Sequence, residues 1–143
     1  MRFEHLVRVY YEDTDTGGIV FYANYLKFFE RARTEWLRAG AGGIPGVSQQ
    51  RIADDLGLMF VVRSTSVDYR RPARLDDEIR IVSTVERAGR VGLDFHQQAF
   101  CVGPADVDEP LLATGRIRGG WVSRDTLQPT AIPDAVRRIF VAR

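Results

Sequence analysis

The chain has 143 residues, 45% of them hydrophobic and 27% charged, and 20 Lys and Arg against 19 Asp and Glu leave a net charge of +1. That length suits one domain, residues 1–143, with a core of its own; the composition excludes disorder, and the charge balance leaves no field for a nucleic acid to follow. The only cysteine, Cys101, excludes an intrachain disulfide and a multi-cysteine zinc site and points to a reducing, cytoplasmic compartment.

Leu6 to Tyr11 alternates apolar and charged residues and ends in Glu-Asp-Thr-Asp-Thr-Gly-Gly, the pattern of a half-buried strand feeding a tight turn. No signal-peptide core precedes it, and no apolar run in the chain reaches about 18 residues, so neither export nor a membrane span is expected. Leu26, Phe29, Ala32, Arg33, Trp36 and Leu37 then recur at helical spacing from Ala23 to about Arg38, where Gly40, Gly42 and Gly43 stop the helix. With Phe28 beside Phe29 the apolar surface is broad, which predicts a helix buried over much of its circumference.

Ser48 to Leu56 reads as a shorter helix with Ser48 as N-cap and Gly57 just past its end. The period then changes to two. Met59 to Tyr69, Glu78 to Glu86, Gly92 to Val102 and Leu111 to Val122 read as strands rich in Val, Ile and Phe. Gly89 and Gly92 flank a hairpin, residues 103–110 form a longer turn, and Gly119-Gly120 marks a bulge or a close backbone approach. Pro133 opens a last helix, Asp134 to about Val141. The order predicts an α+β fold, a curved antiparallel sheet of about five strands wrapped around one long helix, with edges that a homodimer or homotetramer would cover.

The acidic turn beside a helix start carries the chemistry. A carboxylate there can attack or act as a base, and free N–H groups in the first turn can hold an oxyanion. An Asp in such a turn also serves simply as an Asx-turn or cap, and Gly17 and Gly18 suit any tight turn as well as a close ligand approach. Tyr11 and Tyr25 fit either the core or an apolar pocket. Glu30, in the middle of the apolar helix, calls for an arginine such as Arg33 or Arg63, or for a neighbouring subunit's site. The clusters Arg70-Arg71-Pro72-Ala73-Arg74 and Arg116-Ile117-Arg118 suit a solvated edge or an anionic substrate tail. His5 and His96 have no partner at a recognisable spacing, and Cys101 alternates within a strand as a buried, inert thiol would. No phosphate loop, metal-binding cluster or Ser-His-Asp arrangement is present, so no cofactor or metal is expected.

The residues form a wider pattern: Tyr11-Glu12-Asp13-Thr14-Asp15-Thr16-Gly17-Gly18-Ile19-Val20, Tyr22-Ala23-Asn24-Tyr25-Leu26 and Phe29-Glu30-Arg31-Ala32-Arg33-Thr34-Glu35-Trp36-Leu37, then Asp68-Tyr69-Arg70-Arg71-Pro72-Ala73-Arg74-Leu75-Asp76-Asp77, then Gln128-Pro129-Thr130-Ala131-Ile132-Pro133. Over nearly its whole length the chain resembles hot-dog-fold acyl-CoA thioesterases of the 4-hydroxybenzoyl-CoA thioesterase type, and within them the branch associated with the Tol-Pal envelope system. It departs from many members of that branch in having Tyr22 where they have a histidine. The resemblance implies hydrolysis of an acyl-CoA thioester, with Asp15 as nucleophile or general base, the Tyr22 backbone N–H as oxyanion donor, and Tyr11, Gly18, Tyr25, Arg70 and Arg71 around the substrate. Asp13 is assigned the turn-holding role. An envelope-associated or acyl-carrier partner follows from the same resemblance. Two other readings stand beside it: a non-catalytic acyl-CoA binder or envelope adaptor, and a hot-dog hydratase or dehydratase, whose histidine neither His5 nor His96 is placed to supply.

Overall fold

The computed structural model describes residues 1–104 and 107–141, so the turn expected over 103–110 includes two residues outside the described ones. In chain order the elements are β1 (Arg2–Arg8), a 3-10 turn (Tyr11–Asp13), α1 (Asn24–Ala39), α2 (Gln49–Leu56), β2 (Leu58–Tyr69), β3 (Glu78–Ala88), β4 (Gly92–Cys101), β5 (Leu111–Ser123) and α3 (Asp134–Phe140). The strands form one antiparallel sheet in the order β1-β3-β4-β5-β2, which leaves β1 and β2 as its edges. The α+β layout expected from the periodicities is the one observed.

Local chemistry sets several boundaries. The Ser48 hydroxyl accepts from the Arg51 N–H at 3.1 Å, and Gly57 closes α2 in the left-handed conformation at φ 64°. β1 starts earlier and stops earlier than the alternation suggests. Asp13 Oδ2 accepts from the Tyr10 N–H at 2.8 Å and folds Tyr11 into the 3-10 turn, so Tyr11 leaves the strand.

One stripe of α1, Tyr25, Phe28, Phe29, Ala32, Trp36 and Leu37, packs into the core. Trp36 lies edge-on to Phe140 and Phe95 and stacks on Phe3. The helix is thus buried along a stripe rather than over most of its circumference. Leu26, Lys27, Glu30, Arg31 and Arg38 are exposed because the sheet of one chain covers one side only.

The helix approaches β5 closely. A Cβ at Gly115 would stand 2.6 Å from the Phe29 ring, so only glycine admits that contact. Beside it a buried polar group fastens the helix to the sheet. Gln97 on β4 is fully buried, donates from Nε2 to the Phe29 carbonyl and to the Ser83 hydroxyl, each at 2.9 Å, and accepts from Arg33 at 2.9 Å. Ser83 on β3 is its cross-strand partner.

The bulge anticipated at Gly119-Gly120 lies on the opposing strand. The register of β2 slips between Val62 and Ser64, while Gly119 provides the close approach: a Cβ there would meet the Phe60 ring at 2.5 Å. The slip moves the inward positions of β2 from Phe60 to Val67, both of which pack on the core.

Gly115→Ala is expected to destabilise the fold by about 1–3 kcal/mol through overpacking against Phe29. Gly42→Ala, which meets open space, is the control and is expected to shift the denaturant midpoint little; equal midpoints for the two variants would contradict the close-approach account.

Candidate active site

The acidic turn and the start of α1 are tied together by main-chain and amide bonds. The Asp13 carbonyl accepts from the Phe21 N–H and from Asn24 Nδ2, both at 2.9 Å, while its buried carboxylate holds the Tyr10 N–H. Asp13 is therefore the turn-holder. Asn24, the first residue of α1, is buried and fixes the helix start where no N-cap side chain does so.

Asp15 projects from the same turn into the open. Its Oδ1 accepts from the Gly17 N–H at 2.8 Å, an Asx-turn that orients the carboxylate, and its Oδ2 has no partner among the described residues. Gly18 then reverses the chain at φ 80°, donating to the Asp15 carbonyl at 3.0 Å. The Asp15 N–H donates to the Ile19 carbonyl at 2.9 Å, which closes the loop.

Tyr22 stands just before the helix. Among the described residues its backbone N–H donates to no acceptor. Its carbonyl, in contrast, accepts from the Tyr69 hydroxyl at 3.0 Å, so the end of β2 is tied to this residue through the peptide that follows it. Tyr22 is 62% exposed, and its ring meets Tyr69 edge-on. An available N–H at a helix start and a carboxylate with one free oxygen leave the same loop, so the loop offers one donor for negative charge and one base or nucleophile.

The remaining expected residues fall in different surroundings. Tyr25 lies in the core, edge-on to Tyr69 and Phe28, and burial pushes its phenol pKa up to about 12. That phenol stays neutral at physiological pH and is no base. Its hydroxyl is sealed from solvent and meets no hydrogen-bond partner among the described residues by geometry, the Ala73 backbone being the polar group beside it. Tyr11 is 83% exposed.

Arg70 and Arg71 follow Tyr69 directly and are exposed, their N–H groups both on the Leu112 carbonyl; Arg70 also pairs with Asp68 at 2.9 Å. Arg116 and Arg118 pair with Glu86 and Asp94, as a solvated sheet face does. Among the described residues no group of His, Cys, Asp and Glu suited to a metal is found. His5 and His96 are strand residues of β1 and β4.

Two expectations need correction. Glu30 is exposed and forms no ion pair with Arg33 or Arg63; its carboxylate accepts from the Thr34 hydroxyl one turn on. Arg33 instead binds Gln97, and burial lowers its pKa to about 10, which leaves it charged at neutral pH. Cys101 is half-buried rather than sealed, its thiol pKa raised by burial and by nearby Asp77.

Sequence reasoning gave no structural role to Asn24, Tyr69 or Gln97. A readable signal existed for the last. Gln97 occupies the inward parity of β4, between Phe95 and Ala99.

A family model described as the thioesterase-like superfamily matches residues 9–140. The acyl-CoA thioesterase YbgC of Haemophilus influenzae is 35% identical over 138 residues, 96% of this chain and 93% of its own length. The acyl-CoA thioester hydrolase YbgC of Escherichia coli O6:H1 is 36% identical over 130 residues, covering 91% and 89%. Among solved structures, a hypothetical protein from Aquifex aeolicus has a TM-score of 0.80 at 27% identity, covering 97% of this chain and 99% of that one. A mutant 4-hydroxybenzoyl CoA thioesterase complexed with 4-hydroxybenzoyl CoA has a TM-score of 0.84 at 16% identity, covering 98% and 99%, a likeness of fold.

Asn24→Ala is expected to cost about 1–3 kcal/mol, because it removes the amide that joins the helix start to the acidic turn. Tyr25→Phe is expected to leave stability unchanged or slightly raised, since the hydroxyl it removes has no partner. Thermal unfolding of both variants checks the pair.

Proposed function

We propose that this chain, which belongs to the thioesterase-like superfamily, has its hot-dog fold and hydrolyses acyl-CoA thioesters, works through Asp15 as the reacting carboxylate and the Tyr22 backbone N–H as oxyanion donor. The observation that carries the assignment is the junction itself. One oxygen of Asp15 is held by Gly17 and the other is free, while the unpartnered Tyr22 N–H leaves the helix start beside the same turn.

Two routes suit that carboxylate. In one, Asp15 attacks the thioester carbonyl, the coenzyme A thiolate leaves, and water then cleaves the mixed anhydride to restore Asp15 and release the acid. In the other, Asp15 takes a proton from water as that water attacks, and the proton passes to the departing thiolate. In both, negative charge builds on the carbonyl oxygen, and a main-chain N–H with the helix dipole behind it stabilises that charge by about 3–4 kcal/mol. Single turnover in ¹⁸O-labelled water tests the first route: label in the Asp15 carboxylate requires a mixed anhydride opened by water at its aspartyl carbonyl, whereas label in the product acid alone fits either route.

Tyr11, Gly18 and Tyr25 belong to the acyl side of this reading, and Arg70 and Arg71 to the coenzyme A side. The arginines follow Tyr69, whose hydroxyl holds the Tyr22 carbonyl, and this supports their placement at the mouth of the site. The active form in this reading is a homodimer or homotetramer acting in the cytoplasm. The unpaired β2 edge with exposed Val61, Val62 and Tyr69, and the exposure of Asp15 itself, support a second copy covering the site. No helix among the described residues is long and apolar enough to cross a membrane. An acyl carrier or an envelope-associated protein completes the reading as a partner, on the strength of the sequence resemblance.

Asp15→Asn is expected to lower turnover about 10²–10⁴-fold in a free-thiol assay over an acyl-CoA panel, with the fold intact. Full turnover by a folded Asp15 variant would sink the reading. Tyr22→Phe is expected to stay within a few-fold of wild type, whereas Tyr22→Pro, which removes the N–H where proline is tolerated ahead of a helix, is expected to fall about 10²–10³-fold. Equal activity of the two Tyr22 variants would remove the main-chain donor from the mechanism.

A further inference from the structure

The two peptides that flank the Tyr22 Cα are held in different ways. The carbonyl of the one before it, which carries the Tyr22 N–H, accepts from the Asn24 N–H at 2.9 Å, and the Phe21 N–H ahead of it donates to the Asp13 carbonyl at 2.9 Å. The peptide after the Cα is weakly placed by the helix alone. Its carbonyl accepts from the Tyr25 N–H at 3.4 Å, near the limit of a hydrogen bond, and Ala23 at the N-cap has no side chain to cap the first turn. The shorter bond to that carbonyl comes from outside the helix, from the Tyr69 hydroxyl at 3.0 Å.

Tyr69 is well placed to act as an anchor. Its backbone pairs with Ala113 on β5, so the sheet and not a loop delivers the hydroxyl. Its ring lies edge-on to Tyr22 at 6.0 Å and to Tyr25 at 5.7 Å. Burial, and Tyr22 beside it, raise the phenol pKa, so the hydroxyl keeps its proton and stays a donor at neutral pH. Asp15 is untouched by this bond, since its carboxylate is oriented by Gly17 and its own N–H by Ile19.

We propose that Tyr69 is a positioning residue: by holding the Tyr22 carbonyl from the sheet it sets where the Tyr22 N–H points, and so aims the oxyanion donor without touching the substrate. The proposal rests on the thioesterase reading. A main-chain donor acts when it stands about 2.7–3.1 Å from the developing oxyanion, and a misplacement of about 1 Å can cost about 10²-fold in rate. Loss of this one anchor leaves those on the Phe21 side in place, so a smaller fall is expected.

Tyr69→Phe keeps the ring and its edge-on contacts and removes only the hydroxyl. In a free-thiol assay over an acyl-CoA panel it is expected to lower kcat about tenfold with KM within about twofold of wild type, and to leave the thermal midpoint close to wild type. A double-mutant cycle assigns the loss. In the Tyr22→Pro background, where the donor is gone, Tyr69→Phe is expected to cost nothing further. An equal loss in both backgrounds, or a raised KM with kcat unchanged, overturns the proposal.

The ¹⁵N order parameter of the Tyr22 amide reads the same effect without catalysis. It is expected at about 0.85 in wild type and below about 0.6 in Tyr69→Phe. An unchanged value overturns the proposal, as does a fall in order with kcat intact, which leaves Tyr69 a structural residue only. If wild type releases thiol from no acyl-CoA, the thioesterase reading falls, while the order parameter still decides whether Tyr69 sets the Tyr22 N–H.

Discussion

The structure depends on how α1 is seated against the sheet. Two contacts set that seat, and they act in different ways. Phe29 over Gly115 fixes how near the helix comes, because a side chain on β5 would push it off. Gln97 fixes where it stops along its axis, because its amide holds the Phe29 carbonyl, the Ser83 hydroxyl and the Arg33 guanidinium at once. Apolar packing alone is tolerant of sliding, whereas a buried amide held by three bonds has one position.

That fixed seat brings the helix start to the acidic turn. Asn24 then ties the first helical residue to the Asp13 carbonyl, and Tyr69 at the end of β2 holds the carbonyl of Tyr22. The acidic turn, the helix start and the end of β2 thus meet around Tyr22, whose carbonyl is held and whose N–H is left free. The two aspartates divide the work by burial. Asp13 is enclosed and spends its carboxylate on the Tyr10 N–H, while Asp15, two residues on, stands in the open with one oxygen uncommitted.

The same seat explains what one chain leaves unfinished. A five-stranded sheet covers one side of a helix, so Leu26, Lys27, Glu30 and Arg31 face outward together with the β2 edge. The bulge after Val62 adds to this. It moves the inward positions of β2 from Phe60 to Val67, so that Phe60 closes on Phe95 and Trp121 at one end while Tyr69 meets Tyr22 and Tyr25 at the other.

By itself the sequence determined what is local. Ser48 and Gly57 bound α2 because a hydroxyl cap and a left-handed glycine act within one turn of chain, and the strands β2 to β5 announced themselves by period and by β-branched residues. The acidic turn and its helix were legible for the same reason, as was the turn-holding place of Asp13. Only the tertiary structure decided what depends on neighbours far along the chain: that Glu30 faces out, that Arg33 answers to Gln97 and not to a carboxylate, that Tyr25 lies in the core, and that Gly119 faces Phe60 while the bulge sits opposite. The physical reason is that periodicity records which side of an element is apolar, whereas the partner of a polar group is chosen by sheet register and helix position, which no single segment encodes.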